Sequence, residues 1–217
     1  MQMIFSEQQL TGKEPFPLIP QGPYPVGKFF DYLLALNRSR LDQFCHWLFH
    51  PGMLPQASQQ WWGKQKLRPT PHEGLDICWF RDKAGCQRSL PPATRIPAPF
   101  PGRVVQVSAD FLGQSIFLIH KGLVTDDWCL LTAFGHTTPL PGVAADTPVQ
   151  EGDSIATLAH PAGQKTLVKP HLHLTVAIVP ADSSPSDFSW AKLNACKAIL
   201  LLNPLVVFPT SFALVAS

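Results

Sequence analysis

The stretch Pro170-His-Leu-His-Leu-Thr-Val-Ala-Ile178 decides how this chain is read. Leu172, Leu174, Val176 and Ile178 alternate with His171, His173 and Thr175. Successive side chains of a strand point to opposite faces, so the pattern predicts a strand with one apolar face. Its other face carries two imidazoles that can converge on one groove. Working outward, the same short texture begins near Pro69. Runs rich in β-forming residues cover 103–107, 115–120, 128–134 and 154–158, with Gly and Pro between them. No internal repeat is visible. The reading is mainly β: an antiparallel sheet domain with an open groove, plus an N-terminal helical extension.

Before residue 69 the texture differs. Residues 15–25 carry five prolines and predict an extended arm or linker. Phe30, Leu33, Leu34, Leu41, Phe44, Cys45 and Leu48 recur at helical spacing, which predicts a helix or broken pair between about Gly27 and His50, ended by Pro51 and Gly52. Residues 55–71 read as a loop with a Trp61-Trp62 pair. The chain thus divides into an arm and helical extension over 1–68 and a site-bearing domain over 69–217. The apolar mass of the first part must pack somewhere: as a wall or cover of the groove, or on its far side.

Composition excludes several classes. Of 217 residues, 45% are hydrophobic and 15% charged, so this is no charged disordered tail. Lys and Arg exceed Asp and Glu by 17 − 15 = 2 with no dense basic cluster, which argues against nucleic acid as a partner. The 23 prolines, about 11% against a usual share of about 5%, cut the chain into short elements. Five cysteines without a CxxC pair speak against a cysteine zinc site, and Cys78 and Cys86 are either a hairpin disulfide or reduced thiols. No basic segment followed by an apolar run opens the chain, so a cytoplasmic location is expected from the residues alone. The uncharged stretch 198–217 is broken by Asn and Pro and predicts a buried final strand or tail, with no integral membrane segment. Oligomeric state is not legible.

Eight histidines are the informative feature. In His72-Glu-Gly-Leu-Asp76, an extended backbone turns His72 and Asp76 to one side and Leu75 and Ile77 to a core. Gly74 between them has no side chain and lets the backbone come close to a metal. His136 ends the apolar run of Phe134 and Gly135, and His171 and His173 complete three compact motifs. Together these predict one shared metal site. His46 and His50 sit among aromatic residues and read as core or surface groups. His120 reads as structural and His160 as solvent-facing. Glu73 adjoins a candidate ligand, but in a strand it points away from His72.

These motifs resemble the zinc endopeptidases of the lysostaphin and LytM type, which carry HxGxD, a later histidine after a strand, and then HxH. Here they stand as His72–Asp76, His136 and His171–His173. Ala98-Pro-Phe-Pro-Gly-Arg-Val-Val105, Gly113-Gln-Ser-Ile-Phe-Leu-Ile-His-Lys-Gly122, Val149-Gln-Glu-Gly-Asp-Ser-Ile155 and Asn203-Pro204 resemble further family segments. The resemblance spans about residues 69–180, and 181–202 look like an insertion before the closing strand. It implies the duplicated hybrid motif β fold and a Zn2+ held by His72, Asp76 and His173. His136 and His171 would flank the ion, one taking the proton from the attacking water and the other stabilising the oxyanion. Which does which stays open.

The implied activity is hydrolysis of peptide bonds in peptidoglycan cross-bridges or stem peptides by metal-activated water, which for this family takes place in the periplasm or cell wall. The alternatives are a non-catalytic zinc-binding module that regulates or binds cell-wall components and a cupin-like iron(II) oxygenase. Two histidines and a carboxylate also suit iron. Cupins, however, begin with HxH, the reverse of the order here.

Overall fold

A computed structural model describes residues 24–64, 66–160 and 168–215. In chain order the elements are α1 (Phe29–Leu36), β1 (Phe44–Phe49), β2 (Leu75–Ile77), β3 (Trp79–Asp82), β4 (Gln87–Ser89), β5 (Arg95–Pro97), β6 (Gly102–Ala109), β7 (Gln114–His120), β8 (Trp128–Pro139), β9 (Pro148–Val149), β10 (Ser154–Leu158), β11 (Leu172–Pro180), α2 (Trp190–Ala195), β12 (Leu200–Leu202), α3 (Pro204–Val207) and β13 (Phe212–Leu214). The fold is mostly β, as the two-residue periodicity predicts. Among the described residues the strands form two sheets.

The large sheet runs β12-β11-β8-β7-β6-β9, and its neighbouring strands are antiparallel. Strand β2 also pairs with β11, while β10 bridges β8 and β5. Both faces of its central strands are buried. Leu172, Leu174, Val176 and Ile178 of β11 join the main core with Leu130 and Phe134 of β8. Ala177 and Val179 face a second core with Cys129, Leu131 and Phe117. Phe188 and Leu193, from the segment that reads as an insertion, cover that second core. The polar face of the decisive strand is therefore polar only at its first end, where the histidines stand.

The helical reading of 27–50 is corrected. Helix α1 covers only Phe29–Leu36, and Phe44–Phe49 forms β1. Asn37 breaks the pattern: its Nδ2 donates to the carbonyls of Leu33 and Arg95, and its Oδ1 accepts from Arg95 N–H. An asparagine side chain that satisfies backbone groups in this way favours a turn over a continuing helix. The following Phe-Cys-His-Trp-Leu-Phe is rich in aromatics that suit a half-buried pleated surface. It pairs antiparallel with β3 and parallel with β13, contacts distant in sequence that no local periodicity reveals.

The main core crosses residue 68. Phe29, Phe30, Leu33, Trp47, Phe49, Met53 and Trp61 share it with Leu75, Ile77 and Phe134. Of the proline-rich arm only Tyr24 and Pro25 belong to the described residues. The final strand exists, but at a sheet edge, with Phe212 and Leu214 exposed and not buried as expected. Cys78 is buried, Cys86 is exposed, and all five cysteines are free thiols.

Candidate metal centre

Strand register assembles the centre. His173 of β11 lies opposite Asp76 of β2 on one side and Gly135 of β8 on the other. One row across three strands therefore carries Asp76, His173 and the residue before His136. Leu75 and Ile77 go into the main core, which turns Asp76 to the opposite face. Gly74 is required by a close approach: a Cβ there would stand 2.5 Å from the Leu174 carbonyl oxygen and from Thr175 Oγ1, and 2.8 Å from His173 Nε2.

Three donor atoms converge. His72 Nε2 lies 3.2 Å from His173 Nδ1 and 3.2 Å from Asp76 Oδ1, and His173 Nδ1 lies 2.8 Å from the same oxygen. Two imidazole nitrogens and one carboxylate oxygen are a zinc donor set. Bonds of 2.0–2.2 Å at tetrahedral angles put such donors roughly 3.3 Å apart. The observed triangle is close to that size, so these residues fit the ion.

The protons are directed to suit it. A carbonyl oxygen only accepts, so His72 Nδ1, 3.0 Å from the Leu54 oxygen, carries the hydrogen and leaves the Nε2 lone pair facing the cluster. His173 Nε2 stands 3.0 Å from Thr175 Oγ1, which can accept its hydrogen and free Nδ1. Asp76 offers Oδ1 inward, while Oδ2 accepts from Trp61 Nε1 at 2.7 Å and faces Arg68 Nη2 at 3.5 Å. Burial alone would raise the Asp76 carboxyl, but His72, His171 and His173 outweigh it and hold it well below the usual carboxylate range. It is thus an anion, as a ligand must be.

The other two predicted residues flank the triangle. His171 Nε2 lies 3.7 Å from Asp76 Oδ1, and its Nδ1 donates to the Lys169 carbonyl at 2.8 Å. Burial pushes this imidazole down to about 4 against the pull of Asp76, so it is neutral at pH 7. The His136 ring packs at 4.7 Å, centroid to centroid, against His171 and at 6.2 Å from His173. Glu73 does lie to the outside: its Oε1 is 4.0 Å from His173 Nε2, the nitrogen turned away from the triangle. The remaining histidines sit apart. His50 Nδ1 accepts from Gly52 N–H, His120 is closed between the Pro101 carbonyl and Thr132 Oγ1, and His160 is exposed.

His136 reaches the centre through a β-bulge. Gln114 pairs with Thr137 and Ile116 with Phe134, so Gly135 and His136 together oppose Ser115. His136 has φ of +64°, a left-handed conformation that costs a non-glycine residue on the order of 1–3 kcal/mol. Bulges of this kind re-aim a side chain beside a site. The Asp110 carboxylate holds this one. Oδ2 accepts from His136 N–H at 2.8 Å, and Oδ1 lies 3.2 Å from His136 Nδ1.

Sequence reasoning missed Asp110, Arg68 and Trp190, and it did not foresee that Trp61 bonds Asp76. Trp61 and Trp62 stand 5.1 and 6.4 Å from the His171 ring, with Arg68 over Trp62, so part of the N-terminal segment does wall the centre. Trp190 of α2 packs edge-on to His173 at 4.8 Å. The Trp pair was visible in the sequence. Asp110 carries no comparable signal, because Asp followed by Gly three positions on marks a turn whatever else its carboxylate does.

The fold and site thus define a β-sheet protein with a histidine–aspartate centre suited to a divalent metal. No protein-family model and no curated protein matches this sequence. Solved structures do match. The catalytic domain of the antimicrobial peptidase lysostaphin from Staphylococcus simulans is 14% identical over 77% of this chain and 93% of its own, with a TM-score of 0.41. A catalytic-domain mutant of the prophage-encoded M23 protein EnpA from Enterococcus faecalis is 19% identical over 58% and 85%, with a TM-score of 0.36. A chain of the SpoIIQ–SpoIIIAH pore-forming complex is 14% identical over 86% and 92%, with a TM-score of 0.45. Among the described residues no helix is long and apolar enough to cross a membrane.

Proposed function

We propose that this chain is a zinc-dependent metalloendopeptidase, with His72, Asp76 and His173 as the metal ligands. The observation that carries the reading is the convergence of His72 Nε2, Asp76 Oδ1 and His173 Nδ1 within 2.8–3.2 Å of one another. When bound, zinc supplies a Lewis acid that polarises a carbonyl and lowers the pKa of water. The protein's own groups do the rest. Trp61 and Leu54 orient the ligands, and His136 and His171 stand beside them to hold or move a proton. The aromatic rings of Trp61 and Trp62 pack beside His171, and that of Trp190 beside His173, which fixes how these imidazoles are oriented. The substrate, peptidoglycan cross-bridges or stem peptides, follows from the motif resemblance.

The test joins metal analysis of the purified protein with cleavage of a fluorogenic peptide. About one zinc per chain and cleavage are expected, and both should be lost in His173→Ala. Iron in place of zinc, or zinc without cleavage, would refute the reading. A second reading, a zinc-binding module without turnover, is favoured by burial: His72, Asp76 and His171 are 1%, 1% and 2% exposed. Zinc retained with no cleavage of any peptidoglycan peptide would establish it.

A further inference from the structure

We infer that Asp110 is the positioning residue that makes His136, and not His171, the proton acceptor of the centre; this rests on the peptidase reading above. The two flanking histidines differ in what holds their Nδ1. His171 donates to the neutral Lys169 carbonyl, whereas His136 faces the Asp110 carboxylate. An ionised carboxylate only accepts, so His136 carries its hydrogen on Nδ1 and leaves a lone pair on Nε2. When Nε2 takes a proton, the resulting cation is paired with an anion already in contact. The Nδ1 of His171 has only a carbonyl, and the one anion near its Nε2, Asp76 Oδ1 at 3.7 Å, is the oxygen proposed to bind the metal, so His171 has no carboxylate of its own to pair a new charge.

Asp110 is itself built in. Its side chain is 5% exposed. Oδ1 accepts from the N–H groups of Leu112 and Gly113, and Oδ2 accepts from Ser115 Oγ at 2.7 Å. Ser115 is in turn fixed by Trp190 Nε1 at 2.9 Å. The same carboxylate bonds both the backbone and the ring of His136, and so sets the bulge and the tautomer together. In the reaction the attacking water forms its C–O bond as its proton moves to His136 Nε2. The C–N bond breaks as that proton passes to the departing amine nitrogen.

The experiment uses the full zinc-loaded chain. Long-range 1H–15N spectra of the imidazoles, with His136 assigned by His136→Gln, should show the Nδ1–H tautomer in the unaltered protein. In Asp110→Asn this signature should be lost with zinc content unchanged. On the fluorogenic peptide, Asp110→Asn should lower kcat about 100-fold with KM nearly constant, the range of a general base. In a His136→Ala background, the same change should cost nothing further, because a positioning residue acts only through its partner. An Nε2–H tautomer in the unaltered protein overturns the inference even if Asp110→Asn does not fold. So does a kcat loss that persists at full size without His136. Absence of any cleavage defeats the peptidase reading, while the tautomer still reports on Asp110.

Discussion

Trp61 binds the one carboxylate that faces the metal triangle. Its indole N–H and Arg68 are what Asp76 Oδ2 has on its outer side. Groups that orient a ligand in this way are typically worth 10–100-fold in metal affinity. Trp61→Phe keeps an aromatic group but removes the N–H with part of the indole, so zinc should bind roughly tenfold or more weakly, beyond a modest fall in melting from the lost packing. Competition against a chromogenic chelator measures it, and unchanged affinity would reduce Trp61 to packing. Asp76→Ala removes one of the three proposed ligands and should abolish stoichiometric zinc. His136→Ala should leave zinc near full occupancy, since that ring belongs to the flank. Equal metal loss in both would erase the division between ligands and flanking groups.

At the scale of elements, the pairing of β2 with β11 does most to build the centre. Three registered pairs, Leu75 with Leu174, Asp76 with His173 and Ile77 with Leu172, join the two motifs across 97 positions of sequence between Asp76 and His173. Gly74 permits the approach. Gly74→Ala would put a methyl 2.5 Å from the Leu174 carbonyl, closer than such atoms pack, and the backbone of β11 cannot step aside without leaving its ladder. The expected result is a lower melting temperature together with weakened zinc binding, read by calorimetry and metal analysis on one sample. Loss of zinc with unchanged melting would mean that Gly74 serves the metal and not the pairing. The bulge in β8 is the second element-scale device. It spends backbone strain to aim His136, and Asp110 and the Ala159 N–H to His136 carbonyl bond at 2.9 Å restrain it.

For the whole molecule, one core joins the N-terminal segment to the site-bearing strands. Phe29, Phe30, Leu33, Trp47, Phe49, Met53 and Trp61 are buried, at about 1.5–3 kcal/mol each. Their sum rivals the whole net stability of a domain, about 5–15 kcal/mol. A chain begun at residue 69 should therefore show no cooperative melting and bind no zinc; a sharp transition in that fragment would refute this. Acid should also act on the whole fold through His120. Burial pushes its imidazole down to about 4, against about 6.5 in an unfolded chain. Between those values the unfolded state binds the extra proton. Stability is then complete above about pH 6.5 and falls as pH drops toward 4, by at most about 1.4 kcal/mol per pH unit for this one group. His120→Gln should flatten that slope in melts taken from pH 7 to 4.5; an unchanged slope would assign the acid sensitivity to other histidines.

Where residues obey a local period, the amino-acid order was enough to fix the outcome. The alternation of 172–178, the apolar runs of β6, β7, β8 and β10, and the HxGxD and HxH spacings are all set within a few residues. In a strand, two-residue periodicity settles which side chains share a face, and hence which histidines can meet. Contacts that cross between distant segments depended on how the strands come together in space. Helical spacing over 27–50 was broken by Asn37, which bonds to Arg95, and β1 became a strand because β3 and β13 were there to pair with it. The segment 181–202 covers a second core that its own sequence does not announce. Asp110 reaches His136 across 26 positions, and Trp61 reaches Asp76 from the far side of the division at residue 68. A hydrogen-bonding side chain carries no period that names its partner. Such pairings become visible only when the strands have fixed their register and brought the two groups within 3 Å or so of each other.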